Sequence, residues 1–349
     1  MTSETQARQL LAGLGVDALL VTAPPNVRYL SNFSTPADGR VLVTTNGSLL
    51  ITDGRYDAQA AEESTIPVAI TREWQALVAE RAAGLRLGVE ADALTLAQYQ
   101  DLQAGFDGEL VTVRQLLRAE RMVKDDAAQA SLREAARITD AAFGRARQVI
   151  RAGMSEVEVA LEIEAHMRKA GAEALSFDTV VASGPRSAMA HGVATGRIIE
   201  EGDIVTLDFG AVYGGYHADM TRTVAVGDPG EEMTRVYHAV LEAQLRALDV
   251  IRAGVNARDV DAAARTVLEG HGLAEYFVHS LGHGVGLVIH EGPTLSPRSE
   301  DVLEPGMAVT VEPGVYLPGT GGVRIEELVI VTESGYELLS HSPKELLRL

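Results

Sequence analysis

The sequence predicts an α/β domain followed by an α+β domain that contains one helix-then-strand unit twice. Three observations carry this reading. Short β-rich and helical runs alternate from Leu10 to about Arg121, an Ala-rich helical stretch spans Arg118 to Ile150, and the pentapeptide VIRAG occurs at 149–153 and again at 250–254. The 349 residues suit two domains at about 100 to 200 residues each, placed here at 1–120 and 121–349.

In the first domain the β-rich runs are DALLVT (17–22), VLVTT (41–45), SLLIT (48–52), PVAI (67–70), LGVE (87–90) and LVTVR (110–114). Asn46-Gly47 separates the second and third, and this dipeptide tolerates the positive φ angles of a tight hairpin turn. ARQLLAGL, DAQAAEES and REWQALVAERAAG read as helices between strands, so a mixed sheet with helical connections is expected. The stretch from Arg118 to Ile150 is read as the helical crossing into the second domain.

The second domain repeats itself. Each VIRAG is followed by an amphipathic helix, and downstream Glu201 to Asp208 (EGDIVTLD) parallels Glu304 to Glu312 (EPGMAVTVE), setting Gly202 over Gly306, Thr206 over Thr310 and Asp208 over Glu312. The offset is 101 to 104 residues, which describes a duplicated half-domain with pseudo-twofold symmetry and not a solenoid.

Composition removes several classes of function. Forty-nine acidic residues against thirty basic ones give a net charge of −19, a field that repels nucleic-acid phosphates and anionic lipid heads. The basic residues are scattered, with Lys only at 124, 169 and 344. Cysteine is absent, so no thiolate ligand, thiol nucleophile or disulfide contributes. No apolar run approaches the roughly 18 residues of a membrane span. Glu4, Arg8 and Asp17 interrupt the region where an export signal needs an apolar core, so a cytoplasmic protein is expected, with neither nucleic acid nor membrane as partner.

Chemistry concentrates where the repeats place acids in apolar strands. DIVTLDFG and MAVTVEPG carry Asp208 and Glu312, and a carboxylate in such a strand is expensive unless paired or bound to a cation. Either acid alone reads equally well as a strand end at solvent; both at equivalent positions favour a ligand role. A second acid follows each, Asp219 after ten intervening residues and Glu326 after thirteen, with Gly- and Tyr-rich hairpin returns between. Two related hairpins would bring four carboxylates to one point. In VRIEE the period of two sets Arg324 and Glu326 on one face and Glu327 on the other, where a structural role fits. Functional roles are favoured for His191, His279, His283 and His290, each in a Gly-rich turn; His166, His217, His238, His271 and His341 read as ordinary histidines. Four carboxylates with an imidazole suit two divalent cations, such as manganese, cobalt or zinc, about 3.5 to 4 Å apart, which acidify a shared water for hydrolysis.

These motifs carry a family resemblance. LDFGAVYGGYHADMTRT, HSLGHGVGL, IHEGP, VEPGVY and GGVRIEE follow the order and spacing of the pita-bread metallopeptidases, which include prolidase (Xaa-Pro dipeptidase), aminopeptidase P and methionine aminopeptidase. The first domain resembles the creatinase-type α/β domain that precedes the fold in the proline-directed members. The resemblance implies an α/β creatinase-like domain and an α+β pita-bread catalytic domain. It implies five metal ligands, Asp208, Asp219, His283, Glu312 and Glu326, with Asp219 and Glu326 shared by two divalent ions, manganese first, then cobalt or zinc. Glu312 is then also the proton shuttle, His279 and His290 steady the scissile carbonyl, His191 contacts the leaving-group side, and Arg324 orients Glu326 or lines the pocket.

The implied reaction removes an N-terminal residue that precedes proline, and a homodimer is implied with it. One departure bears on substrate length. Dipeptide-specific relatives continue His-Glu-x-Pro-Arg, the arginine reading the proline carboxylate, whereas this chain reads His290-Glu291-Gly292-Pro293-Thr294. Arg40, in STPADGR, is a substitute reader, with a solvated loop arginine as the equal alternative. Xaa-Pro dipeptidase is preferred, aminopeptidase P acting on longer peptides is the alternative, and methionine aminopeptidase or a creatinase-like hydrolase ranks below both.

Overall fold

A computed structural model describes residues 4–349. The chain divides into a first unit ending at Arg118 and a second unit, Ala119–Leu349.

The first unit is built on one mixed sheet. Its strands are β1 (Ala18–Val21), β2 (Arg40–Thr44), β3 (Gly47–Thr52), β4 (Val68–Ile70), β5 (Arg86–Glu90) and β6 (Glu109–Val113), in the order β4-β3-β2-β1-β5-β6. All six expected runs form strands. β1 runs antiparallel to β2 and parallel to β5. Because successive side chains point to opposite faces, Leu19 and Val21 enter one apolar core while Ala18 and Leu20 enter another. The hairpin turn differs by one residue from the expected Asn46-Gly47. Thr44 pairs with Gly47, so Thr45 and Asn46 form the tip and Gly47, at φ 117°, already opens β3. The glycine's freedom is used at the strand start, as in a turn closed by a bulge.

The expected helix over 118–150 is broken. Arg118–Met122 and Asp126–Val149 are separate helices, and the Asp125 side chain accepts from the Ala128 N–H to cap the second. Beyond it lie β7 (Ala174–Leu175), β8 (Val180–Ser183), β9 (Ile204–Phe209), β10 (Ala211–Tyr213), β11 (Tyr216–His217) and β12 (Met220–Ala225). The second half contributes β13 (Gly282–Gly284), β14 (Glu291–Leu295), β15 (Ala308–Val311), β16 (Gly314–Leu317), β17 (Gly321–Arg324), β18 (Glu327–Val331) and β19 (Tyr336–Leu338).

The duplication is visible in the hydrogen bonds. Gly153 N–H donates to Ile199 O at 2.9 Å, and Gly254 N–H to Leu303 O at 2.8 Å. Gly202 N–H reaches Val226 O and Gly306 N–H reaches Val331 O at 2.7 and 2.9 Å. Helices Glu156–Lys169 and Ala257–Gly270 follow the two VIRAG segments. The central strands correspond as well, β8-β9-β12 in the first half with β13-β15-β18 in the second. Each half therefore offers a strand pair whose end carries acids, and each pair bends sharply there. At the first bend a Cβ on Gly210 would lie 1.8 Å from Ala218 O, so only glycine lets the two chains approach.

Candidate metal centre and active site

Asp208 lies in β9, and Asp219 immediately precedes β12; Glu312 follows β15, and Glu326 sits between β17 and β18. The bends between these strands turn all four acids toward one cavity of about 690 Å³, which His191, His279, His283, His290 and Arg324 also line. Ligand oxygens of Asp208, Asp219 and Glu326 lie within 4.8 Å of one another. His283 Nε2 stands 3.3 Å from Glu312 Oε1 and 3.5 Å from Asp219 Oδ2. On its far side, His283 Nδ1 is 3.1 Å from Gly284 O. With Nδ1 turned to that carbonyl, Nε2 faces the acids; burial disfavours the charged ring but Glu312 outweighs it, so Nε2 donates to Glu312 here and is the ring nitrogen a metal ion would take.

The electrostatics of this cluster call for positive charge. Burial first, then repulsion from neighbouring carboxylates, pushes Asp219 and Glu326 well above the usual carboxylate range. Burial also raises Asp208, although Arg324 opposes it. Burial works the same way on Glu312, but His283 outweighs it and holds this carboxyl below its usual range. Asp208 Oδ1 and Glu326 Oε1 are buried without a hydrogen-bond partner. Buried acceptors are rarely left so, and divalent cations among these oxygens would satisfy both atoms and offset the repulsion. The residues therefore fit a metal centre.

Arg324 is the principal protein cation here. Its Nη2 donates to Asp208 Oδ2 at 2.6 Å, and its Nε donates to Thr221 Oγ1 at 2.9 Å, whose hydroxyl in turn donates to Glu326 Oε2 at 2.8 Å. Arg324 thus grips Asp208 directly and reaches Glu326 through Thr221. Its Nη1 also donates to Tyr316 OH at 2.7 Å and to Ala190 O, beside His191, at 3.0 Å. Glu327 points the other way, into a buried pair with Arg222 at 2.8 Å, as the strand alternation requires.

Tyr316 was not singled out by sequence, although it closes the VEPGVY motif. Its hydroxyl is 2.9 Å from His279 Nε2, and His279 Nδ1 is 2.8 Å from Ser280 O. The carbonyl fixes the proton on Nδ1, so Tyr316 donates to Nε2 while accepting from Arg324. His290 is exposed, its ring 4.3 Å from that of His283 between centroids, and the next residue, Glu291, is held by Arg121 and, at 2.7 Å, by Lys124. Thr294, which follows the Gly292-Pro293 pair, is exposed on the cavity wall. Arg40 belongs to the first unit; it opens β2 and lays its guanidinium 4.6 Å from the Trp74 ring centroid.

A duplicated α+β unit whose four buried or half-buried acids meet one imidazole is the frame of a metal-dependent hydrolase. The chain belongs to metallopeptidase family M24, whose profile matches residues 130–333, and the creatinase/prolidase N-terminal domain matches residues 5–123. It is a peptidase with the creatinase-type and pita-bread domains. An Xaa-Pro dipeptidase of Pyrococcus horikoshii is 39% identical, with 95% of each chain covered. Among solved structures, an Xaa-Pro dipeptidase from Bacillus anthracis is 45% identical with a TM-score of 0.94, covering 99% of each chain. An X-Pro aminopeptidase from Thermotoga maritima is 38% identical with a TM-score of 0.91, covering 98% of this chain and 100% of its own.

Proposed function

We propose that this peptidase hydrolyses the bond between an N-terminal residue and a following proline, and that Xaa-Pro dipeptides are its substrates. The observation that carries the reading is the convergence of Asp208, Asp219, Glu312, Glu326 and His283, with two orphaned carboxylate oxygens, on the wall of a substrate-sized cavity. The names of the similar dipeptidases support the proline specificity. In this reading residues 1–120 are the creatinase-type domain and 121–349 the catalytic domain, working as a cytoplasmic homodimer.

Asp208, Asp219, His283, Glu312 and Glu326 would hold two divalent ions, manganese first and cobalt or zinc as alternatives. Such ions polarise a carbonyl oxygen and acidify water at neutral pH. Glu312 takes the proton from the attacking water and delivers it to the proline nitrogen as the C–N bond breaks. Its Oε1 is engaged by Thr310 at 3.1 Å and by His283, which leaves Oε2 for the transfer. His290 and the His279–Tyr316 pair face the scissile carbonyl, where fixed dipoles stabilise developing charge. His191 contacts the proline side, and Arg324 keeps Asp208 and, through Thr221, Glu326 in place.

Aminopeptidase P activity is the second reading, favoured by Thr294 in place of the carboxylate-reading arginine and by the similar Thermotoga maritima enzyme. Turnover of an Xaa-Pro dipeptide against an Xaa-Pro tripeptide and longer peptides decides between them. Faster cleavage of the dipeptide is expected, and faster cleavage of the longer peptides overturns the dipeptidase assignment. Arg40 is proposed as the carboxylate reader; Arg40→Ala should raise the dipeptide KM, and an unchanged KM and kcat refutes that role.

A further inference from the structure

We infer that Asp261 and Arg265 are positioning residues for the His279 side of the active site. This rests on the reading of His279 given above. Both lie on helix Ala257–Gly270, one turn apart, and line none of the cavity. Asp261 is 1% exposed and forms a two-pronged pair with Arg265, Nε to Oδ2 at 2.7 Å and Nη2 to Oδ1 at 3.2 Å.

Together they grip three groups of the segment that presents His279. Arg265 Nη1 donates to Phe277 O at 3.2 Å, Arg265 Nη2 donates to His279 O at 2.5 Å, and Leu281 N–H donates to Asp261 Oδ1 at 3.0 Å. The segment bends at His279 and Leu281, and the pair holds it at three points across those bends. The guanidinium also covers the Phe277 ring at 4.3 Å, and that ring stands edge-on to His279 at 5.0 Å. Charge-assisted hydrogen bonds of this kind fix geometry as well as adding stability. His279 in turn fixes the Tyr316 hydroxyl.

The first half has no such pair at the corresponding positions; there the helix is tied to neighbouring segments by Glu156, which accepts from the Ser183 and Thr195 N–H groups. The helices' N-caps, Ser155 and Asn256, are 101 residues apart. The same offset puts Ala160 and Glu164 opposite Asp261 and Arg265, a pair that cannot form this ion pair.

The test is a double-mutant cycle on the metal-loaded full chain, with Xaa-Pro hydrolysis as readout. Asp261→Asn and Arg265→Ala should each lower kcat about tenfold with little change in KM, the scale expected when a reacting geometry drifts by a fraction of an ångström. Arg265→Lys, which keeps the charge but cannot reach all partners, should fall between. In a His279→Ala background the Asp261→Asn effect should largely vanish, since the two act through one group. A Tm loss with kcat unchanged, or full additivity with His279→Ala, overturns the inference. A wild-type chain that leaves Xaa-Pro peptides intact overturns the functional reading instead.

Discussion

Thr221 links Arg324 to the metal centre, accepting from Arg324 and donating to Glu326. Thr221→Val keeps the shape and removes both bonds. Partners that orient metal ligands affect affinity by about 10- to 100-fold, so metal binding measured by calorimetry should weaken by at least about tenfold. An unchanged affinity would show that Glu326 needs no such support. Asp219→Asn removes a charge from the centre of the cluster, and the metal content of the purified variant should fall below that of the wild type. The acids and His283 were legible in the sequence because duplication marks them twice or a Gly-rich turn frames them. Tyr316, Thr221 and the Arg265 clamp were not, because their partners lie in other elements and no local pattern announces a tertiary hydrogen bond.

Elements place these residues through bends that the sequence shows only in part. All six strands of the first unit follow from alternation and β-branched content, while the hairpin tip moved by one residue because Gly47 serves a strand start as well as a turn. The helix over 118–150 broke because Asp125 supplies a side-chain cap that competes with continuing the helix. At the first acid-bearing bend, Gly210→Ala would drive a Cβ into Ala218 O; a loss of about 3 kcal/mol is expected in denaturant unfolding. Helix Glu156–Lys169 gives a pH prediction. Burial opposes ionisation of Glu156, but bonds from Thr195, Ser183 and Arg186 outweigh it and hold its pKa below the ordinary 4.5. A depressed folded-state pKa contributes stability that is complete above the unfolded value and is lost as pH falls through the folded one. Glu156→Gln should therefore lower Tm most at neutral pH, and the difference from wild type should close below pH 4.5; a gap that is constant with pH contradicts the account.

At the scale of the whole molecule, the net charge of −19 combines an ordinary acidic surface with a small functional part. Asp208, Asp219, Glu312 and Glu326 are buried or half-buried acids that repel one another until cations join them. No described helix is long and apolar enough to cross a membrane. Ligands that bind only the folded state raise its stability, so manganese should raise Tm in a concentration-dependent way. The repeat was legible from VIRAG and the paired acids, but the difference between its halves, a three-stranded sheet against a five-stranded one, needed the strand pairing. The most direct test is titration of the metal-stripped chain with manganese while hydrolysis of an Xaa-Pro dipeptide is followed. The account predicts no hydrolysis in chelator and activity that rises until two ions are bound per chain. Full activity in chelator, or none at saturating metal, would contradict it.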